Sequence, residues 1–113
     1  MKIVKNKLPR IFQVGENGEI NISDCGKIYL DPDEQVTFVT VTGKKHDFTA
    51  KSWGFYATPS VNGRLVHQGF KTALVKNQSG RYYIMVVDVD RIPDFETYLS
   101  VEKNEVVEWI DER

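Results

Sequence analysis

The amino-acid sequence predicts a mainly β fold, an antiparallel barrel or sandwich of about eight short strands with one C-terminal helix. The main observation is a series of short β-type segments separated by turn residues at intervals of about ten. The second is a single helical pattern, with Pro93 at its start and Phe95, Tyr98 and Leu99 on one face. Because a further strand follows that helix, an α+β arrangement is the alternative.

The individual strands are predicted from β-branched and aromatic residues that lie between turn-forming residues. Turns are expected over 15–19 and over 31–34, where Pro32 presets the backbone for the second turn. The segment 35–42 changes its apolar face midway, which predicts a strand that is covered on both sides or bulged. The predicted strands are residues 10–14, 20–23, 27–30, 35–42, 70–76, 81–89 and 105–110, with further β structure over 46–58.

The clearest hairpin joins 70–76 to 81–89, with Gly80 supplying the positive φ that such turns need. Residues 82–87 of its second strand are apolar without interruption. A strand that is apolar on both faces is typical of the middle of a sheet. The sequence therefore predicts a central strand here, covered on both sides.

The composition indicates a single globular domain, 1–113, with no nucleic-acid partner. Fifteen basic and 16 acidic residues leave a formal charge of −1, and only the first ten residues are rich in basic side chains. No apolar stretch approaches the roughly 18 residues of a membrane span, and no apolar leader begins the chain. We therefore expect a cytoplasmic protein with no membrane partner. Cys25 is the single cysteine, which excludes an internal disulfide.

The sequence contains none of the motifs that identify a reaction. The patterns GxxxxGK[ST], GxGxxG, HExxH and GxSxG are all absent. His46 and His67 are 21 residues apart and have no cysteine partner at zinc spacing, so no metal and no cofactor are expected. His46 is expected to be exposed or hydrogen-bonded and Cys25 to lie in a turn; the roles of both residues stay open.

The segment SWGFYATPSVNGRL, 52–65, is the densest in aromatic and polar side chains. If Asn62 and Gly63 close a tight hairpin, Trp53 and Phe55 face the core and Leu65 lies on the opposite, polar face. Pro59 argues against that hairpin, because it has no N–H for the strand ladder. In the second version the strand ends near residue 58, and a loop follows.

Both versions bring together an aromatic ring, hydroxyls, an amide, a guanidinium and an imidazole. Such a mixture favours a neutral, hydroxyl-rich ligand, and sugars fit this description better than fatty or strongly anionic molecules. The alternative is a solvent-facing sheet surface made of ordinary β-forming residues. The predicted ligand-binding residues are Tyr56, Thr58, Ser60, Asn62, Arg64 and His67.

Two stretches of this sequence resemble those of small uncharacterised bacterial proteins. They are WGFYATPSVNGRL, 53–65, and GFKTALV, 69–75, followed by a short strand with acidic flanks, 106–111. The proteins that carry these stretches are encoded near genes of surface-glycan synthesis, of the nonulosonate and lipopolysaccharide kind. The resemblance covers about residues 47–111 and implies sugar or nucleotide-sugar chemistry. It implies no catalytic residues.

Three functions are compatible with these observations. The leading one is a non-catalytic small-ligand binding or accessory protein for a carbohydrate or nucleotide sugar in bacterial surface-glycan metabolism. The first alternative is a small metal-independent sugar isomerase or epimerase, with His67 as general base and Tyr56 as acid. The second alternative is a protein-interaction module or homodimer, formed through an exposed strand edge or the end of the chain near Trp109.

Overall fold

The computed structural model describes residues 1–15 and 17–113, and it confirms the predicted fold class. The fold is mainly β and sandwich-like, and the described strands form three antiparallel sheets that do not close into a barrel. The strands are β1 Lys2–Val14, β2 Ile20–Tyr29, β3 Gln35–Val39, β4 Lys45–Lys51, β5 Gly54–Ala57, β6 Phe70–Lys76, β7 Tyr82–Asp88 and β8 Glu105–Trp109. The helices are α1 Arg64–His67 and α2 Ile92–Glu102.

The first sheet is a long two-stranded hairpin, β1 and β2, which we call the arm. Three strands were expected in this part, but the turn expected at Cys25 does not form, and β2 runs on to Tyr29. The pairing register shifts here, because residues 6–9 of β1 bulge out opposite Cys25. There Gly26 lies so close to β1 that a Cβ atom would be 2.2 Å from the Val4 carbonyl oxygen. Only glycine tolerates this approach, so position 26 requires glycine where the two strands meet beside the bulge. The turn predicted over 15–19 includes Glu16, which lies outside the described residues.

The second sheet has the order β3-β4-β5. The predicted turn before it is confirmed, because the Glu34 N–H donates to the Asp31 carbonyl oxygen over 3.1 Å. The prediction that β3 continues to residue 42 is wrong, since the strand ends at Val39. A turn over 40–44 follows, in which the Gly43 N–H donates to the Thr40 carbonyl oxygen. The change of apolar face in the sequence therefore marks the end of a strand and not a bulge.

The tight hairpin at Asn62 and Gly63 does not form. Instead β5 ends at Ala57, and a loop leads into the single turn of helix α1. The Ser60 carbonyl oxygen accepts hydrogen bonds from the N–H groups of Gly63 and Leu65, over 3.2 and 3.1 Å. These bonds wind the chain into a helical turn, so the version in which a loop begins at Pro59 is the correct one.

The third sheet has the order β7-β6-β8. The predicted hairpin between β6 and β7 is confirmed, with Gly80 at a φ of 78° in its turn. The prediction that β7 is central and covered on both faces is wrong. It is an edge strand, and Tyr82 and Ile84 are 57% and 61% exposed. The sequence indicated two apolar faces correctly, but it could not show that only one neighbouring strand is present.

The predicted C-terminal helix is confirmed as α2, with Pro93 in its first turn. Helix α2 covers one face of the third sheet, where the rings of Phe95 and Trp109 meet edge to face at 5.8 Å. The other face meets the second sheet, where the rings of His46 and Phe70 are 6.3 Å apart. The core therefore lies on both sides of β6, and its buried apolar residues are Ala50, Leu65, Phe70, Ala73, Val75 and Val87.

Candidate functional site

The six predicted ligand-binding residues lie on one continuous segment, which runs from β5 through the loop into α1. Five of the six residues are exposed and Thr58 is half-buried, but most of the six side chains already contact other protein groups. The hydroxyl group of Thr58 is hydrogen-bonded to that of Thr49 over 2.6 Å. The Ser60 hydroxyl oxygen accepts from the Arg64 backbone N–H over 3.1 Å, which stabilises the start of α1. These two residues therefore have structural roles.

Arg64 and Asn62 are also held by neighbouring groups. The Arg64 guanidinium forms an ion pair with the Asp47 carboxylate over 3.4 Å. The Asn62 amide donates to the Arg113 carbonyl oxygen over 3.4 Å. Because a buried carboxylate already balances its charge, Arg64 is a weaker receptor for a phosphate group than its exposed position alone would indicate.

The residue that organises this region is Asp47, which the sequence analysis did not single out. It is 7% exposed, and its carboxylate accepts from the Thr37 hydroxyl over 2.6 Å as well as from Arg64. Its own carbonyl oxygen accepts from the Thr58 N–H over 2.9 Å, which fixes the chain after β5. A buried carboxylate requires such partners. Asp47 thus joins β3, β4 and α1, and its position within an alternating strand gave no sign of this.

Trp53 and Tyr56 form an exposed aromatic pair, which we call the aromatic platform. Their ring centroids are 6.1 Å apart and their planes are inclined by only 26°. Trp53 is 69% exposed and Tyr56 is 42% exposed. Residues 52 and 53 form the two-residue turn between β4 and β5, because Lys51 pairs with Gly54. This turn places the Trp53 ring beside the Tyr56 ring, on the same side of the hairpin β4–β5.

The prediction that Trp53 and Phe55 support the site from the core is wrong. Phe55 is 69% exposed, as Trp53 is, and it alternates with Tyr56 along β5. Leu65, expected on the polar face, is fully buried. A two-residue turn at 52–53 was a signal that could have placed Trp53 outside the core, since loop tips lie at the surface.

His67 and Tyr56, the acid–base pair of the enzyme alternative, are not joined by any hydrogen bond or ring contact among the described residues. His67 is the last residue of α1, and it is exposed. A general base needs to lie within hydrogen-bond reach of the proton that it removes. The geometry therefore supplies no support for that pair as a unit.

His46 is buried, and the expectation that it would be exposed or hydrogen-bonded is wrong. It is 8% exposed, its ring meets Phe48 at 5.1 Å, and its Nδ1 atom has no hydrogen-bond partner among the described residues. Burial lowers the pKa of His46 below its ordinary value, while the neighbouring Asp47 acts in the opposite direction. His46 is therefore an uncharged part of the core at neutral pH.

We expect the free energy of unfolding to decrease as the pH falls below the ordinary histidine pKa of about 6.5. Because the pKa of His46 is lower in the folded protein, the unfolded chain takes up the proton first. The stability that His46 contributes is therefore present above its unfolded pKa and is lost as the pH falls through the folded pKa. Urea unfolding at several pH values measures this slope.

The substitution His46→Leu should remove most of that slope. The matched control is His67→Gln, which replaces the exposed histidine instead of the buried one. An unchanged slope in His46→Leu would show that another group carries the pH dependence.

The remaining features concern metal binding, the single cysteine and membrane-spanning helices. No cluster of three or more His, Cys, Asp or Glu residues that could hold a metal ion is present among the described residues. Cys25 is exposed, and its thiol donates to the Ser23 carbonyl oxygen over 3.5 Å. In the part of the chain that the structure describes, no helix is long and apolar enough to cross a membrane.

A groove of 730 Å³ lies away from the predicted residues. It separates the tip of the arm from β7 and α2, and its lining includes Val14, Ile22, Tyr83, Met85 and Tyr98. A second groove, of 510 Å³, lies on the other side of Met85 and Tyr98. The aromatic platform is therefore a surface site rather than the wall of either groove.

Comparison with known proteins gives no match: no protein-family model, no curated protein and no solved structure is similar to this chain.

Proposed function

We propose that this chain is a non-catalytic carbohydrate-binding or accessory protein of the bacterial cytoplasm, and that it acts in surface-glycan metabolism on a carbohydrate or nucleotide sugar. The observation that carries the proposal is the aromatic platform, Trp53 and Tyr56. Two nearly parallel rings that stay exposed in a folded domain offer an apolar plate, and the Tyr56 hydroxyl adds a polar edge. Tyr and Trp are enriched at binding surfaces, because each combines an apolar ring with a polar group.

The chemistry around the platform favours the neutral sugar ring as the part that is recognised. Sugar rings present one apolar C–H face and several hydroxyl groups, which match an aromatic plate with polar groups at its side. Arg64, the one cation of the predicted set, is already paired with Asp47. A phosphate of a nucleotide sugar would compete with that carboxylate. The resemblance of 53–65 to proteins encoded near surface-glycan genes supports the same ligand class.

A thermal-shift panel of nucleotide sugars and free sugars, including UDP-N-acetylglucosamine, CMP-N-acetylneuraminic acid and N-acetylneuraminic acid, is the first test. A ligand at about 100 times its Kd adds about 2.7 kcal/mol of stability, which is measurable as a higher Tm. Absence of a shift with every sugar at millimolar concentration would contradict the proposal.

For any sugar that binds, we expect Trp53→Ala to raise the Kd about tenfold, which is the change that 1.4 kcal/mol produces. The ring that supports the sugar is then lost, while the core is untouched because Trp53 is exposed. Isothermal titration calorimetry measures the difference. The control is Phe55→Ala, which removes an equally exposed ring at the position before Tyr56 in β5. An equal loss in both variants would argue against the platform as the site.

A further inference from the structure

The outer edge of β7 is a row of unpaired backbone groups with no protection against another strand. Among the described strands, β7 pairs only with β6, and the pairing register is continuous from Tyr82 to Asp88. Residues 82–87 contain no charge and no proline. Edge strands of natural proteins carry charges, prolines or bulges that prevent strand addition. β7 has none of these within 82–87, so its edge is open to a partner strand.

The side chains of β7 also lack the second neighbour that their sequence requires. Tyr82 and Ile84 alternate with Tyr83 along the strand, and all three remain at least 45% exposed. A strand that is apolar on both faces is typical of the middle of a sheet. If a further strand pairs with β7, β7 becomes an inner strand of the sheet, which is the position that its apolar pattern predicts.

The surface area of the chain is larger than that of a compact monomer. The folded chain exposes 8128 Å², whereas a compact monomer of 13.0 kDa exposes only about 6300 Å². Its radius of gyration is 15.5 Å, against about 13 Å for a compact chain of this length. The excess of roughly 1800 Å² is more than the ~800 Å² that each partner buries in a standard interface. A stable dimer is therefore within reach.

The arm supplies part of this excess, and its tip lies beside β7. Ile3, Leu8 and Ile11 of the arm are 57%, 89% and 67% exposed. An isolated two-stranded hairpin is marginally stable in water, so such a hairpin needs packing on one face. Ile22 of the arm and Tyr83 of β7 line the same groove, so the arm lies near the side of the sheet that β7 borders.

We propose that the partner is a second copy of this chain, and that the two β7 strands pair antiparallel about a two-fold axis. The two three-stranded sheets then become one sheet of six strands. Charge complementarity at the ends of β7 favours this arrangement. Arg81 precedes the strand and has no ion pair among the described residues, while Asp88 ends the strand and Asp90 follows it. Lys44 pairs with both carboxylates, so one cation is shared by two acids and this end of the strand keeps a net negative charge, with Asp90 79% exposed. Antiparallel pairing brings Arg81 of each copy towards the acidic end of the other, whereas parallel pairing would place like charges together.

The opposite edge of the same sheet is less suited to this contact. β8 contains Glu105 and Glu108, which are charged as edge residues often are. The Trp109 ring is covered by Phe95 and by the ammonium group of Lys71, which lies 4.8 Å from its centroid. The edge at β7 is therefore the one that we assign to the dimer.

The first test compares Ile84→Lys with Val107→Lys by sedimentation equilibrium, without any ligand. Both residues are exposed apolar residues of an edge strand, at 61% and 50%. We expect the unmodified chain to be a dimer and Ile84→Lys to raise its dissociation constant about tenfold or more, the change that 1.4 kcal/mol produces. Val107→Lys should leave the dimer intact. A concentration-independent monomer, or dissociation only by Val107→Lys, would overturn the proposal.

The second test uses disulfide trapping to locate the contact between the two β7 strands. It does not depend on a variant that weakens the dimer. Single cysteines are placed at Ile84, Met85 or Val86 in a Cys25→Ser background, with Val107→Cys as the control. Directly opposed residues bring their Cα atoms to about 4.5–5.5 Å, within disulfide reach, whereas the next position is too distant. One of the three positions should form a covalent dimer on oxidation. Failure of all three, or trapping through Val107→Cys, would show that β7 does not pair with itself.

The dimer proposal is independent of the proposed carbohydrate site. The aromatic platform lies on the hairpin β4–β5, in a different sheet from β7. A monomer that binds sugar would contradict the dimer proposal and support the carbohydrate site. A dimer that binds no sugar would support the dimer proposal and contradict the carbohydrate site. A complex between this chain and another protein, with no self-association, would contradict the choice of a second copy.

Discussion

Replacement of Leu65 by alanine is expected to lower the free energy of unfolding by about 2–5 kcal/mol. Leu65 is the one fully buried residue of the single-turn helix α1, and it has no measurable exposure to solvent. Its removal leaves a cavity between α1 and the core, and the neighbouring Pro59 and the strand β6 are rigid parts of the structure that cannot close it fully. Urea unfolding followed by circular dichroism measures the loss.

The matched control is Val66→Ala, one residue further along the same helix. Val66 is 41% exposed, so its truncation should change the free energy of unfolding by only about 0.5 kcal/mol. Equal effects of the two substitutions would show that burial of Leu65 is not the source of the cost, since alanine is itself the best helix former. A loss confined to Leu65→Ala would establish α1 as a part of the core.

The position of Leu65 illustrates where sequence reasoning failed. Asn62 and Gly63 are a strong local signal for a hairpin turn, and that turn would have placed Leu65 on a polar face. The actual chain instead uses the Ser60 carbonyl oxygen to start a helical turn. Pro59 gave the correct indication, because a residue without an N–H group cannot continue a strand ladder. Burial of one leucine then outweighed the local turn preference.

Local chemistry predicted the parts of the fold that depend on a few adjacent residues. The turn over 31–34, the turn at Gly80 and the start of α2 near Pro93 all form as the sequence indicated. Strand neighbours are a different matter, because they depend on contacts between distant parts of the chain. The apolar pattern of β7 was recognised, but the pattern alone does not say which strand, or which copy of the chain, lies beside it.

The candidate site was predicted only in part, because contacts with distant parts of the chain decide which side chains remain available to a ligand. The segment from Tyr56 to His67 was identified, but residue types do not reveal which side chains are used within the protein. Thr58, Ser60 and Arg64 make internal hydrogen bonds or ion pairs, whereas Trp53, expected in the core, is exposed. Large aromatic residues are found both inside proteins and at binding surfaces, so burial cannot be read from their identity.

Asp111→Ala is expected to lower the free energy of unfolding by about 2–4 kcal/mol. The strand β8 ends at Trp109, which pairs with Ala73 of β6. Thr72, the residue before Ala73, therefore has no partner in β8. The 3₁₀ turn Ile110–Glu112 folds the Asp111 side chain back into that place. Its carboxylate accepts from the Thr72 N–H and from the Lys71 ammonium group, each over 2.9 Å. Its side chain is only 6% exposed.

The alanine variant leaves a buried N–H group without an acceptor, and this is the main part of the expected cost. Asp111→Asn should cost less, about 1 kcal/mol, because an amide oxygen can still accept from Thr72 while the charge opposite Lys71 is lost. Glu112→Ala is the control, since Glu112 also pairs with Lys71 but is 63% exposed, and we expect a change within about 0.5 kcal/mol. Urea unfolding of the three variants measures the order.

Acid unfolding provides an independent check on the charge of Asp111. Burial acts to raise the pKa of Asp111, but the hydrogen bonds from Lys71 and from the Thr72 backbone together lower it below its ordinary value. Because the folded pKa is the lower one, the stability is present above the unfolded pKa of about 3.9 and is lost as the pH falls through the folded pKa. Asp111→Asn should therefore weaken the decline of stability in acid. If Asp111→Asn declined as steeply as the unmodified chain, the carboxylate would not be the group that links β8 to β6 through its charge.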